Sequence, residues 1–259
     1  MRNWIKYTLL SVCGALLSAC IVCAFMAGRK ERGEILCKRI KVTVTDSTEN
    51  RFISPEKIKR DLQKEHGRII GLPIDSIDLN RIETIVDGKT AVYKSQVYTT
   101  KDSTLNIEIS QRKPIVRFQK GSTGFYADKD GYIFPLQSSF TSHVLIIDGN
   151  IPISVNSGQK GAITNQSEKD WLMKTVNLVN FIEMDKSWRR MIVQIHVDEE
   201  GDMILVPREG QEKFLFGKPV DIEDKFEKIR KYYTTIIPKA GSEKYKVIDL
   251  RFRGQIICK

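Results

Sequence analysis

The side chains able to do acid–base, nucleophilic or metal chemistry are few in this chain, and their spacing assembles no site. The three histidines are dispersed: His66 ends a predicted helix, His143 precedes a strand and His196 lies within one. Glu199 and Glu200 are neighbours in a turn, so their carboxylates point apart and cannot divide acid and base roles over one substrate. No H-E-x-x-H, G-x-S-x-G or phosphate-cradling glycine motif occurs. Asp128-Lys129-Asp130-Gly131 superficially resembles a calcium loop, but Tyr126 takes the first ligand position and Gln137 the twelfth, where a carboxylate belongs. The five cysteines (13, 20, 23, 37 and 258) suggest neither a disulfide framework nor a zinc site, and a Cys37–Cys258 bridge would need an oxidising compartment. Catalysis is therefore not expected, and no cofactor, metal or small-molecule substrate is implied.

Recognition remains. A sheet that ends with the chain leaves an edge whose N–H and C=O groups can pair with another polypeptide. Strand addition of that kind draws affinity from the main chain and specificity from alternate side chains. Gln255–Lys259 is short, contains Ile256 and Ile257, and is the candidate edge. Arg251 and Phe252 stand at its approach, as a cation for an acidic partner and an aromatic anchor. Ile248 and Leu250 complete the candidate partner-binding set, although the alternation Ile248, Leu250, Phe252 reads equally well as core.

The elements that must position these residues follow from periodicity. Ile40, Val42 and Val44 alternate with polar residues as a strand. Ser54-Pro55 starts a helix with Ile58 and Leu62 on one face, and Gly67 is its stop. Asp78 caps a second helix with Leu79, Ile82 and Val86 in a stripe, ending at Asp87-Gly88. Strands over 91–100 and around Leu105, Ile107 and Ile109 flank a turn at Lys101-Asp102-Ser103. Strand, helix, helix, strand, strand suffices for a small α+β unit with both helices on one face of a three-stranded sheet.

Beyond Pro114 the pattern changes to short strands: a hairpin at Asp130-Gly131, then strands at 144–147, 193–197, 203–206 and 213–216. A polar loop covers 156–165. Ser167 caps one helix, in which Trp171 packs, and Asp221 caps a last helix with Ile222, Phe226, Ile229 and Tyr233, ended by Pro238 and Gly241. Asn165-Gln166-Ser167 also matches a glycosylation sequon.

At the other end, Tyr7–Ala27 runs uncharged for long enough to cross a hydrocarbon core, which needs about 20 helical residues. Trp4 and Tyr7 suit the interface, and the run is too long for a cleaved signal peptide. Leu17-Ser18-Ala19-Cys20 looks like a lipobox, but the residues after Cys20 stay apolar, which favours an uncleaved anchor. Arg29, Lys30, Arg32, Lys38 and Arg39 outnumber Arg2 and Lys6, so charge alone would leave the bulk in the cytoplasm, although long domains translocate largely regardless of it. Charged residues at 29% and hydrophobic residues at 41% describe a folding chain. Its net charge of +10 is spread evenly with no binding motif, which argues against nucleic acid and for a solvated basic surface.

These residues carry a resemblance. The run from Ile40 to Arg117 resembles a POTRA domain, in particular that of the FtsQ/DivIB family of bacterial cell-division proteins. Its marks are V-T-V-T near the start, Phe52-Ile53-Ser54, Gly71-Leu72-Pro73, Ile107-Glu108-Ile109, and Gln111-Arg112-Lys113-Pro114, where the family tends to carry E-R-x-P. The Y-x-D-x-x-G-x-x-F hairpin from Tyr126, Phe216-Gly217 before a helix with Lys225, Lys228 and Lys231, and the closing Y-x-V-I-D-L-R-F from Tyr245 are similar to the family's second domain. The resemblance implies a cytoplasmic tail (1–6), a transmembrane helix (7–27), a connector (28–38), a POTRA domain (39–112) and a mostly antiparallel β domain with two or more helices (113–259). It further implies a non-enzymatic, single-pass inner-membrane scaffold with its bulk in the periplasm, enriched at the septum. That scaffold would recruit small coiled-coil FtsB-like and FtsL-like partners of the septal peptidoglycan synthesis complex. An envelope lipoprotein and a POTRA-bearing secretion or assembly component remain as alternatives.

Overall fold

The computed structural model describes residues 14–24, 26, 35–46, 48, 50–121, 123–156, 158–241 and 244–259. Residues 14–24 form a helix, α1, with Leu16, Leu17, Ile21 and Val22 exposed. Ser18 Oγ donates to the Ala15 carbonyl at 2.9 Å, which satisfies the hydroxyl within the helix. The expected membrane span Tyr7–Ala27 lies partly outside the described residues, at 7–13, 25 and 27. Among the described residues no helix is long and apolar enough to cross a membrane.

The rest of the chain is α+β and divides into two compact units, the second comprising Asn50–Phe52 and Arg112–Lys259. Phe52, expected to open the first helix of the POTRA-like unit, belongs to the second. There its ring meets Tyr126, Phe134 and Phe140 edge-on at 5.0–5.9 Å.

In the first unit β1 (Arg39–Val44), α2 (Pro55–Glu65), α3 (Leu79–Asp87), β2 (Val92–Thr100) and β3 (Thr104–Gln111) follow in the expected order. Here β3 is central, parallel to β1 and antiparallel to β2. Both helix starts arise from local chemistry. Ser54 accepts from the Lys57 N–H with Pro55 in the first turn, and Asp78 Oδ1 accepts from the Arg81 N–H at 2.9 Å. Each cap contributes about 1 kcal/mol. Ile58, Leu62, Ile82 and Val86 then bury against Leu105, Ile107 and Ile109 of β3, all three fully enclosed.

The second unit is built on a ten-stranded sheet. Its strands are β4 (Pro114–Lys120), β5 (Thr123–Asp128), β6 (Tyr132–Pro135), β7 (Leu145–Gly149), β8 (Gly161–Ala162), β9 (Ile192–Val197), β10 (Met203–Pro207), β11 (Lys213–Gly217), β12 (Val247–Asp249) and β13 (Ile257–Cys258). They lie in the order β13-β12-β11-β10-β9-β7-β4-β5-β6-β8. The pairs β11–β12, β7–β9 and β4–β7 are parallel and the rest antiparallel. One row runs across six strands in register: Phe118, Ile147, Ile195, Leu205, Phe214 and Ile248, none with any exposure. The helices α4 (Gln166–Met184), α5 (Lys186–Met191) and α6 (Ile222–Lys231) bury Leu172, Val176, Trp188, Phe226 and Ile229 in the same core.

Three expectations need correction here. Asn165, not Ser167, caps α4, because its Oδ1 accepts from both the Ser167 and Glu168 N–H groups. Asp221 precedes α6 in a left-handed conformation (φ 52°), and its side chain makes no capping bond, although its carbonyl accepts from the Lys225 N–H at 3.1 Å. The last helix passes through a π-helical turn, Tyr232–Ile236, into α7 (Ile237–Ala240), so Pro238 sits in the first turn of α7 instead of ending the helix. Proline supplies no N–H to the helix, and the turn that precedes Pro238 is the π-helical one.

Candidate partner-binding edge

The stretch Val247–Lys259 forms the rim of the sheet. A turn closed by the Gln255 N–H donating to the Phe252 carbonyl (3.3 Å), with Gly254 at φ 71°, lets β13 fold back antiparallel on β12. Among the described residues the far side of β13 pairs with nothing. Val247 and Lys259 exchange N–H and carbonyl groups at 3.1 and 2.9 Å. Antiparallel alternation then aims Ile257 at β12 and leaves the backbone groups of Ile256 and Cys258 pointing outward.

Behind the edge lies a charged clamp. Arg251 donates from Nε and Nη2 to Asp249 Oδ1 and Oδ2 at 3.0 and 2.9 Å, and from Nη1 to Asp202 Oδ2 at 3.0 Å. Lys218 Nζ approaches the other Asp202 oxygen at 3.1 Å. Burial alone would raise the Asp249 and Asp202 carboxyls, but hydrogen bonds from Arg251, and from Lys218 at Asp202, hold both below the usual carboxylate range. The same bonds raise the Arg251 guanidinium. Gly217 makes the clamp possible: at φ 76° it takes a conformation that side chains disfavour, and a Cβ there would lie 2.8 Å from Arg251 Cγ.

Two lysines of α6 fix the strand ends from below. Lys228 Nζ donates to the carbonyls of Leu250 (3.3 Å) and Phe252 (2.9 Å) and pairs with Asp224 at 2.7 Å. Lys225 Nζ donates to the Lys218 carbonyl at 2.8 Å over the Phe216 ring, and burial lowers its pKa.

The structure sorts the sequence-predicted set. Ile248 and Leu250 have no exposure, so their side chains are core and face no partner. Arg251 is already neutralised by two aspartates, and it positions the strand ends in this fold. Ile256 and Cys258 turn their side chains onto the core, whereas Ile257 is half-buried outside it. Phe252 (48% exposed) and Gln255 remain open to a ligand. Sequence reasoning missed Asp202, Lys225 and Lys228. Lys225 carries a signal, since it falls three residues after Ile222 and four before Ile229, within the apolar stripe. The thiols of Cys37 and Cys258 are both free, as are those of Cys20 and Cys23, which stand three residues apart on α1.

Two family models match the chain. One, described as FtsQ/DivIB, C-terminal related, covers residues 113–259, and the other, a POTRA-like domain, covers residues 35–110. No curated protein matches it.

Proposed function

The chain belongs to the FtsQ/DivIB family, and we propose that it is a membrane-tethered, non-catalytic scaffold that docks small coiled-coil division proteins of the FtsB and FtsL kind. The anchor in this reading is the uncharged Tyr7–Ala27 stretch, with the POTRA-like and C-terminal units on the periplasmic side, gathered at the septum beside the peptidoglycan synthesis complex. One observation carries the docking site: among the described residues β13 has an unpaired side, with the Ile256 and Cys258 backbone groups turned outward next to an exposed Phe252. A partner strand added there would draw on main-chain bonds, with Phe252 and Gln255 as its side-chain contacts.

The test removes one outward N–H. Proline is tolerated on an edge strand where its nitrogen faces away from the ladder, so Cys258→Pro leaves the β12 bonds intact. Cys258→Pro is expected to abolish capture of purified FtsB–FtsL coiled coil by the full chain, while Cys258→Ser retains it and both keep the parent's thermal transition. Full capture by Cys258→Pro refutes strand addition at β13.

A further inference from the structure

We propose that the groove between β1 and α2 in the first unit binds an extended acidic segment of a partner protein, at a surface separate from the β13 edge and independent of its role. The sheet of this unit is asymmetric. The apolar row Leu105, Ile107 and Ile109 on β3 is fully buried, and toward β2 its neighbours Val97 and Ser95 are enclosed as well. Toward β1 the row continues in register as Ile40, Val42 and Val44, which are only half-buried. In this direction the core runs into an open groove, and among the described residues β1 is an edge strand paired on one side alone.

The groove has a volume of about 610 Å³ and is lined by Arg39, Ile40, Lys59, Gln63, Arg68 and Ile70, among others. Ile70 is 47% exposed and widens an aliphatic floor begun by Ile40. The rim is cationic because α2 segregates its charges. Asp61 and Glu65 face Lys89 on one flank, where both pair with it, whereas Lys59 and Gln63, one turn apart, face the groove. Among the described residues neither Lys59 nor Arg68 has a carboxylate within salt-bridge distance. Arg68 donates from Nε to the Ile70 carbonyl at 3.1 Å, which holds its guanidinium at the rim. Arg39 is partly satisfied, pairing with Asp102 and donating to Thr104 Oγ1 at 2.7 Å.

A strand edge unpaired among the described residues, an aliphatic floor and two cations outside salt-bridge distance of any described carboxylate match an extended chain that alternates aliphatic and acidic residues. Its aliphatic side chains lie against Ile40, Val42 and Ile70, and its carboxylates reach Lys59 and Arg68.

The test uses the full chain in detergent and a fluorescein-labelled nonapeptide of alternating Glu and Val, read by anisotropy. Saturable binding is expected, with the alternating Lys–Val peptide silent. Both cations are exposed, so Lys59→Glu/Arg68→Glu should keep the parent's thermal transition while weakening the acidic peptide about tenfold or more. Cys258→Pro should leave peptide binding unchanged, which separates failure here from failure at the β13 edge. Absence of binding overturns the proposal, as does equal affinity in the double variant. Anionic vesicles that displace the peptide, and whose binding the double variant also abolishes, would reassign the groove to a lipid surface and overturn it too.

Discussion

Gly217→Ala should loosen the clamp behind the β13 edge by an amount the geometry sets. The added methyl meets two costs. At φ 76° any non-glycine residue is strained by about 1 kcal/mol. The Cβ would also lie 2.8 Å from Arg251 Cγ and 3.1 Å from Cδ, so the arginine stem must move. Moving it breaks the forked contact with Asp249, whose carboxylate sits in a residue only 3% exposed. Hydrogen bonds to charged groups contribute roughly 1.5–3 kcal/mol. Arg251 is itself 40% exposed at its side chain, so solvent screening places the loss near the lower end, about 2 kcal/mol. The two costs together come to about 3 kcal/mol, or roughly 6–12 °C in Tm for a unit of this size.

Urea unfolding followed by tryptophan fluorescence, in a chain carrying Trp4→Phe, reads the correct unit, since the other two tryptophans, Trp171 and Trp188, both lie in the second. Arg251→Ala provides the decisive cross. Alone it loses the same contact, about 2 kcal/mol. Combined with Gly217→Ala it should cost about 3 kcal/mol, because the clash has no partner left and only the backbone strain adds. Strict additivity of the two substitutions, near 5 kcal/mol, would refute the claim that the methyl introduced by Gly217→Ala acts by displacing Arg251.

Two further outcomes follow from the same region. Lys228→Met removes the cation that holds the Leu250 and Phe252 carbonyls; it should cost about 2 kcal/mol by urea unfolding and weaken partner capture by freeing Phe252. Stability should also fall on the acid side. Asp249 and Asp202 titrate below their ordinary value of 3.8 in the folded chain, so their contribution is present above that value and is lost as pH falls through the lower folded values. This pair should therefore leave Tm level between about pH 5 and 8 and bring an acid decline below about pH 4, which Arg251→Ala should flatten.

How far the chain can be read in advance depends on whether the deciding contact is local. Ser54-Pro55 and Asp78 announce their helices because the cap and the N–H it accepts lie within three residues. The cap of α4 stands two residues before the expected one for a related reason: Asn165 and Ser167 are both good caps, and Asn165 prevails by taking two N–H groups. The alternation of Val193, Ile195 and Val197 identifies a strand but not its neighbours, and nothing nearby says that β9 lies between β7 and β10. Nor can alternation decide between core and surface for Ile248, whose burial depends on a row extending through five other strands to Phe118.

The proposed partner site shows where composition misleads. An arginine and a phenylalanine at the end of a strand look like anchors for another protein, yet Arg251 has Asp249 two residues before it on the same face. That pairing is local enough to be visible in the sequence; its completion by Asp202 depends on how β10 and β11 lie in register. With Arg251 neutralised and Ile248 and Leu250 enclosed, little side-chain surface is left at the rim. The side chains of Ile256 and Cys258 are constrained by the core they touch, while their backbone groups are the ones that face outward. A ligand at this edge must therefore gain its affinity from main-chain bonds, and discrimination falls to Phe252, Gln255 and Ile257. Changes at those three positions should alter which partner binds, whereas changes at Ile248 or Leu250 should reduce binding only by unfolding the sheet beneath it.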